Sequence, residues 1–117
     1  MDKRSKEEIS DLAKYIGDIL NDKKAVDVEI LDISEKTSLT DLFVICSGNS
    51  TTQVKALASE VELKIKERFD LVPRFSEGFQ TRRWVLLDYI DVVVHIFLTE
   101  ERSFYSLERL WRTNHSE

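Results

Sequence analysis

WVLLDYIDVVVHIFL, residues 84–98, holds the most apolar segments of the chain, parted only by the joint Asp88-Tyr89-Ile90-Asp91. Runs of aliphatic and β-branched residues of this length, bounded by turn formers, are strands. Residues 83–89 and 91–98 therefore form two strands with almost nothing between them, as a tight hairpin or a single bent ribbon. The two-residue period of a strand puts Trp84, Leu86 and Asp88 on one face and Val85, Leu87 and Tyr89 on the other. Val92, Val94 and Ile96 belong to a strand apolar on both faces, which requires cover on both sides and a central place in a sheet.

Working outward, Asp41–Cys46 is a second continuous apolar run, so Phe43 and Ile45 are expected inside with Val92, Val94 and Ile96. Residues 25–33 alternate instead: Val26, Val28 and Ile30 against Asp27, Glu29 and Leu31. One wet face suits a strand near an edge. Pro73, the only proline, limits any strand over residues 71–76 to a short or edge one. Ser5 with Glu8, and Ser50 with Gln53, have the spacing of a capping box. Apolar residues then recur at helical steps, Ile9 to Leu20 in one segment and Val54 to Phe69 in the other. Residues 100–112 make a third helix with Phe104, Leu107, Leu110 and Trp111 inward. Interleaved helices and strands without strict βαβ alternation predict one α/β domain over residues 1–117, a mixed sheet of about five strands with helices packed on it.

The 117 residues suffice for a core without staples. No stretch approaches the roughly 20 apolar residues of a membrane span. The opening residues carry no signal-peptide core, and the single cysteine, Cys46, fits a reducing compartment, so a cytoplasmic protein is expected. Seventeen Lys and Arg stand against 22 Asp and Glu, a net charge of −5. Residues 25–50 supply most of it, with five acids against Lys36. Nucleic-acid readers carry a basic stripe to displace phosphate counterions. This balance argues against sequence-specific nucleic-acid binding and suits a basic protein partner.

Candidate chemistry is sparse. Ser47-Gly48-Asn49-Ser50 joins a strand to a helix N-terminus, where backbone N–H groups can hold an anion. One glycine without the phosphate-loop spacing reads more simply as a turn and cap. Asp88 and Asp91 invite a metal or acid–base reading, but acids beside a tight turn commonly satisfy its backbone donors. His95 lies in an apolar strand where a local hydrogen bond is the simpler role, and no nucleophile has partners for a triad. Cys46 reads as a small core residue. Trp84 and Tyr89, at the two ends of a strand beside Arg82-Arg83, are either rim packing or interface anchors.

The 84–97 segment, with its tryptophan, three aliphatics, aspartate and D-V-V-V-H-I, resembles the Iojap family, the ribosomal silencing factors. So do Ser38-Leu39-Thr40-Asp41, the turn Cys46–Ser50, and Glu101-Arg102 followed by Phe104-Tyr105 and Leu107–Trp111. The likeness runs from about residue 9 to residue 112. Ile90 departs from it, standing where the family usually has a small residue. The resemblance implies a nucleotidyltransferase-like fold without catalytic residues, no cofactor, and homodimers in isolation. It further implies binding to large-subunit ribosomal protein L-fourteen, which blocks subunit joining and represses translation under nutrient limitation. By motif match the contact surface includes Trp84, Tyr89 and Asp91, with Asp88 and Phe97 as further candidates. The alternative is a residual nucleotidyltransferase or phosphate-binding enzyme, which would pair a Gly-Ser turn with alternating strand carboxylates. Here the order is Ser47-Gly48.

Overall fold

The computed structural model of the protein describes residues 4–105, with side chains up to Arg102. Helix α1 (Lys6–Asp22) opens on a complete capping box: Ser5 Oγ accepts from the Glu8 N–H, and the Glu8 carboxylate accepts from the Ser5 N–H. Two of the four orphan donors of the first turn are thereby satisfied. Its stripe Ile9, Leu12, Ile16, Ile19 and Leu20 is buried. Helix α2 (Thr51–Phe69) departs slightly from expectation. Ser50 Oγ accepts from the Gln53 N–H, but the Gln53 side chain accepts from Asn49 N–H, one residue before the cap.

The strands are β1 (Val26–Asp32), β2 (Leu42–Gly48), β3 (Phe75–Glu77), β4 (Trp84–Asp88) and β5 (Val92–Leu98), followed by helix α3 (Thr99–Tyr105). They form one five-stranded sheet in the order β1-β2-β5-β4-β3. All neighbours are antiparallel except β2 and β5, which run parallel from Leu42 beside Val92 to Gly48 beside Leu98. The sheet is mixed, and the two apolar runs lie at or beside its centre. β1 is an edge strand, as expected, but a register shift between Val26 and Glu29 bulges it, so Val26 falls on the face of Glu29 and Leu31 rather than with Val28 and Ile30, and Ile30 is exposed. β3, next to Pro73, has three residues and forms the other edge.

Helices α1 and α2 cover one face, burying Val44, Cys46, Val85, Leu87, Tyr89, Val92, Val94 and Ile96 against them. Gly17 on α1 faces β1, where an added Cβ would make ordinary contact, 3.6 Å from Ile30 Cδ1. Ile33, Phe43, Ile45, Val93 and Phe97 form a second buried cluster on the opposite face, with Trp84 and Leu86 packed partly buried against it. Phe43, Ile45, Val92, Val94 and Ile96 are all inside, as expected. Burial pushes the Cys46 thiol up to about 12, which keeps it protonated and unreactive at neutral pH. Of the third helix the described part is α3, and the predicted inward set Phe104, Leu107, Leu110 and Trp111 lies outside the described side chains. Among the described residues no helix is long and apolar enough to cross a membrane.

Candidate functional site

The joint of the β4–β5 hairpin is a three-residue turn. The Asp91 N–H donates to the Tyr89 carbonyl at 3.0 Å, and the Tyr89 N–H donates to the Val92 carbonyl at 2.8 Å. Ile90, between them, has φ +80°. This is a γ-turn of the rare positive-φ kind, strained for any residue with a Cβ and most for a β-branched one. The surroundings hold it. Asp88 Oδ1 accepts from the Ile90 N–H at 2.7 Å, and Asp88 Oδ2 faces Arg74 at 3.2 Å. Arg4 arrives from the other end of the chain, donating to the Tyr89 carbonyl at 2.9 Å and to Asp91 Oδ2 at 2.7 Å. The Asp91 carbonyl accepts from both Asp41 and Leu42 N–H, which fixes the turn to the start of β2.

Replacing the strained residue tests that account. Ile90 is 46% exposed, so it contributes little core packing. Ile90→Gly is expected to stabilise the protein by about 1 kcal/mol, raising Tm by several degrees, because glycine takes positive φ without the Cβ clash. A lower Tm in thermal unfolding would show that side-chain packing outweighs the strain.

The two faces of β4 separate as the strand period requires. Trp84 lies half-buried on the face away from α1 and α2, opposite Phe97 in register, with ring centroids 4.8 Å apart. Its indole N–H donates to His95 Nδ1 at 3.1 Å. An indole N–H can only donate, so Nδ1 carries the lone pair and the neutral ring holds its proton on Nε2. Burial pushes His95 down to about 4, with the Asp88 charge pulling the other way, so the ring is neutral at physiological pH. The local hydrogen bond expected of His95 is the one it makes to Trp84.

Tyr89 and Phe97 stand differently from their place in the expected contact surface. Tyr89 is 1% exposed and packs on the helix side, with burial raising its phenol well above the ordinary range. Phe97 is fully buried beneath Trp84. Within this chain both are buried and present no area at the surface. Trp84, Asp88 and Asp91 are partly exposed and share the hairpin. Both aspartates are engaged with an arginine, and Asp88 also with the turn backbone. The Ser47–Ser50 turn is likewise committed to capping: besides the Ser50 and Gln53 bonds, Thr99 Oγ1 donates to the Gly48 carbonyl at 3.0 Å. Among the described residues no group of three or more His, Cys, Asp and Glu is gathered to hold a metal.

Three residues escaped the reading of the sequence. Arg4 sits in a polar segment whose partner is 87 positions away, and no local pattern announces it. Arg102 is buried, donating to the Asp27 carbonyl at 2.7 Å and to Ser47 Oγ at 3.0 Å, and so ties α3 to the bulge of β1 and to β2. Thr40, in the polar connection before β2, is buried with its hydroxyl unpaired among the described residues.

Comparison with known proteins places this geometry. The family described as "Ribosomal silencing factor during starvation" matches residues 6–117. The ribosomal silencing factor RsfS of Bacillus subtilis is 46% identical over 100 residues, covering 86% of this chain and 84% of its own. The mouse protein named "Mitochondrial assembly of ribosomal large subunit protein 1" is 31% identical over 96 residues, covering 80% of this chain and 42% of its own. A crystal structure of a Chromobacterium violaceum protein, 42% identical, superposes with a TM-score of 0.81 over 92% of this chain and 87% of that one. With a family match over nearly its whole length and a relative this similar across most of both chains, the chain belongs to the ribosomal silencing factor family.

Proposed function

We propose that this protein represses translation by occupying large-subunit ribosomal protein L-fourteen, at the face of the large ribosomal subunit that meets the small one. Subunit joining is then blocked when nutrients are scarce. The observation that carries the reading is the family match over residues 6–117, whose description joins silencing to starvation. The name of the mouse relative points to the same subunit. The chain's net charge of −5 suits a basic ribosomal partner.

The contact surface is the β4–β5 hairpin. Trp84 is its aromatic anchor, Asp88 and Asp91 supply its acidic edge, and Tyr89 and Phe97 brace it from beneath. The protein works in the cytoplasm and pairs as a homodimer when free of ribosomes. It acts by occlusion rather than by catalysis, since Asp88 and Asp91 already serve the turn and its arginines.

The test is sedimentation of the purified protein with isolated ribosomal subunits. Migration with large subunits and not with small ones, together with loss of joined ribosomes when both are mixed, is expected. Equal migration with both, or unimpeded joining at saturating protein, would overturn the reading.

A further inference from the structure

Trp84 stands half-buried on the face of the sheet away from α1 and α2, and two residues of β5 hold its ring. Phe97 lies directly across the strand pair, its ring tilted 31° to the indole. His95 lies on the diagonal, two residues along the same face, and its Nδ1 accepts from the indole N–H at 3.1 Å. The two contacts restrain the ring differently. Packing on Phe97 holds it in a layer but hardly distinguishes it from the same ring turned over about χ2. The hydrogen bond does distinguish the two, because an indole carries one polar atom, on one edge.

His95 is costly to the fold. It is 4% exposed in a strand otherwise apolar from Val92 to Leu98. Its ring lies 4.4 Å from that of Phe43, edge to face, and runs nearly parallel to that of Phe97. Among the described residues its Nε2 has no hydrogen-bond partner, so part of its lost hydration is not replaced. An aliphatic side chain would fill the place without that loss. A typical hydrogen bond adds less to stability than an unpaired buried group removes, so the bond to Trp84 does not account for the histidine by stability. Residues that cost the fold gather where a site needs them.

We infer that His95 is a positioning residue for the contact surface: its Nδ1 fixes the Trp84 indole, before any partner arrives, in the orientation that the ribosomal partner meets. The inference rests on the proposed ribosomal reading and deepens it by assigning a role to a buried residue that itself touches no partner. An anchor free to turn must give up that freedom on binding, which weakens the complex; an anchor already fixed does not. His95 thus contributes affinity at the expense of stability.

The experiment compares the full chain with His95→Leu and His95→Asn. Leucine and asparagine share one branched skeleton, but only asparagine places an acceptor at the δ position, where histidine has Nδ1. Thermal unfolding fixes a temperature at which all three are folded, and affinity for isolated large ribosomal subunits is measured there. The motion of the indole is read by time-resolved fluorescence anisotropy in a Trp111→Phe background, which leaves Trp84 the single tryptophan of the chain. His95→Leu is expected to melt above His95→Asn, since it buries no polar group, yet to bind about fivefold more weakly than the parent, with a faster-moving indole. His95→Asn is expected to match the parent in affinity and in indole motion. The order of stability and the order of binding are thus opposite, which loss of packing alone would not produce. Parent-like binding or parent-like indole motion in His95→Leu overturns the inference and leaves the ribosomal reading standing. So does binding by His95→Asn as weak as that of His95→Leu, or failure of His95→Leu to fold, either of which would make His95 a packing residue. Absence of binding by the parent protein overturns the ribosomal reading, and this inference with it.

Discussion

Acidification from about pH 6.5 to about pH 4 is expected to cost the folded protein about 3 kcal/mol through His95 alone. The group's ordinary value is 6.5, and burial takes it to about 4 in the fold. Between these values the unfolded chain binds a proton that the native chain refuses, so falling pH favours unfolding. The contribution is complete above the unfolded value and lost as pH drops through the folded one. Protonation at Nδ1 would also set a donor against the Trp84 indole N–H, turning a bond at 3.1 Å into a repulsion. Glu62, whose carboxyl burial raises, works in the opposite sense. The His95 contribution is read by comparing the parent with His95→Gln over about pH 6.5 to 5, since Glu62 is common to both. Urea unfolding across that window should show stability falling by about 1 kcal/mol per pH unit through this group. A flat profile there would mean that the ring takes its proton without disturbing the fold.

Trp84→Ala has the largest expected effect on binding. Truncating an aromatic anchor at the centre of an interface typically costs about 2 kcal/mol or more, some thirtyfold in affinity. The structure adds a cost in stability, because the indole packs on Phe97 and its N–H satisfies His95 Nδ1. A half-buried tryptophan should lose about half of what a fully buried one does, about 2 kcal/mol. The variant is expected to unfold cooperatively at a lower temperature and, while folded, to be retained poorly on large ribosomal subunits. Trp84→Phe separates the parts, keeping a ring over Phe97 while losing the donor. Should Trp84→Ala bind like the parent wherever it is folded, Trp84 would be packing alone, and the contact surface would have to centre on Asp88 and Asp91.

What the sequence disclosed, and what it withheld, divides by the range of the interactions. Helix starts, the wet face of β1, the shortness of β3 and the opposite facing of Trp84 and Tyr89 all follow from neighbours within a few residues. Capping residues, one proline and strand periodicity carried them. Periodicity could also have corrected the placing of Phe97, which shares a strand face with Val93 and His95 and so meets Trp84 across the pair. The commitments of the two aspartates were less accessible. That an Asx side chain would bond the turn was foreseeable, but Arg74 and Arg4 reach the site from 14 and 87 positions away. The polarity of His95 was hidden for the same reason, since its tautomer depends on an indole brought by the neighbouring strand. Thr40 entered the reading only as part of a motif, and its burial stayed hidden because it depends on what surrounds it in the fold.

The parallel pairing of β2 with β5 has a consequence for how the chain is made. Leu42 meets Val92, about fifty residues later, and β4 and β3 hang on the far side of β5. A ribosome delivers roughly 5–20 residues each second from the N-terminus, so β2 emerges seconds before the strand that completes it. During that interval α1, α2 and the β1–β2 hairpin can assemble, but the free edge of β2 stays open, beside Phe43 and Ile45. Bringing the ends of so long a loop together exacts its entropy before the contacts repay it, which makes the late step slow. Completion must wait until residue 98 has cleared the exit tunnel. The nascent chain is thus most prone to mispairing in the interval before β5 joins β2.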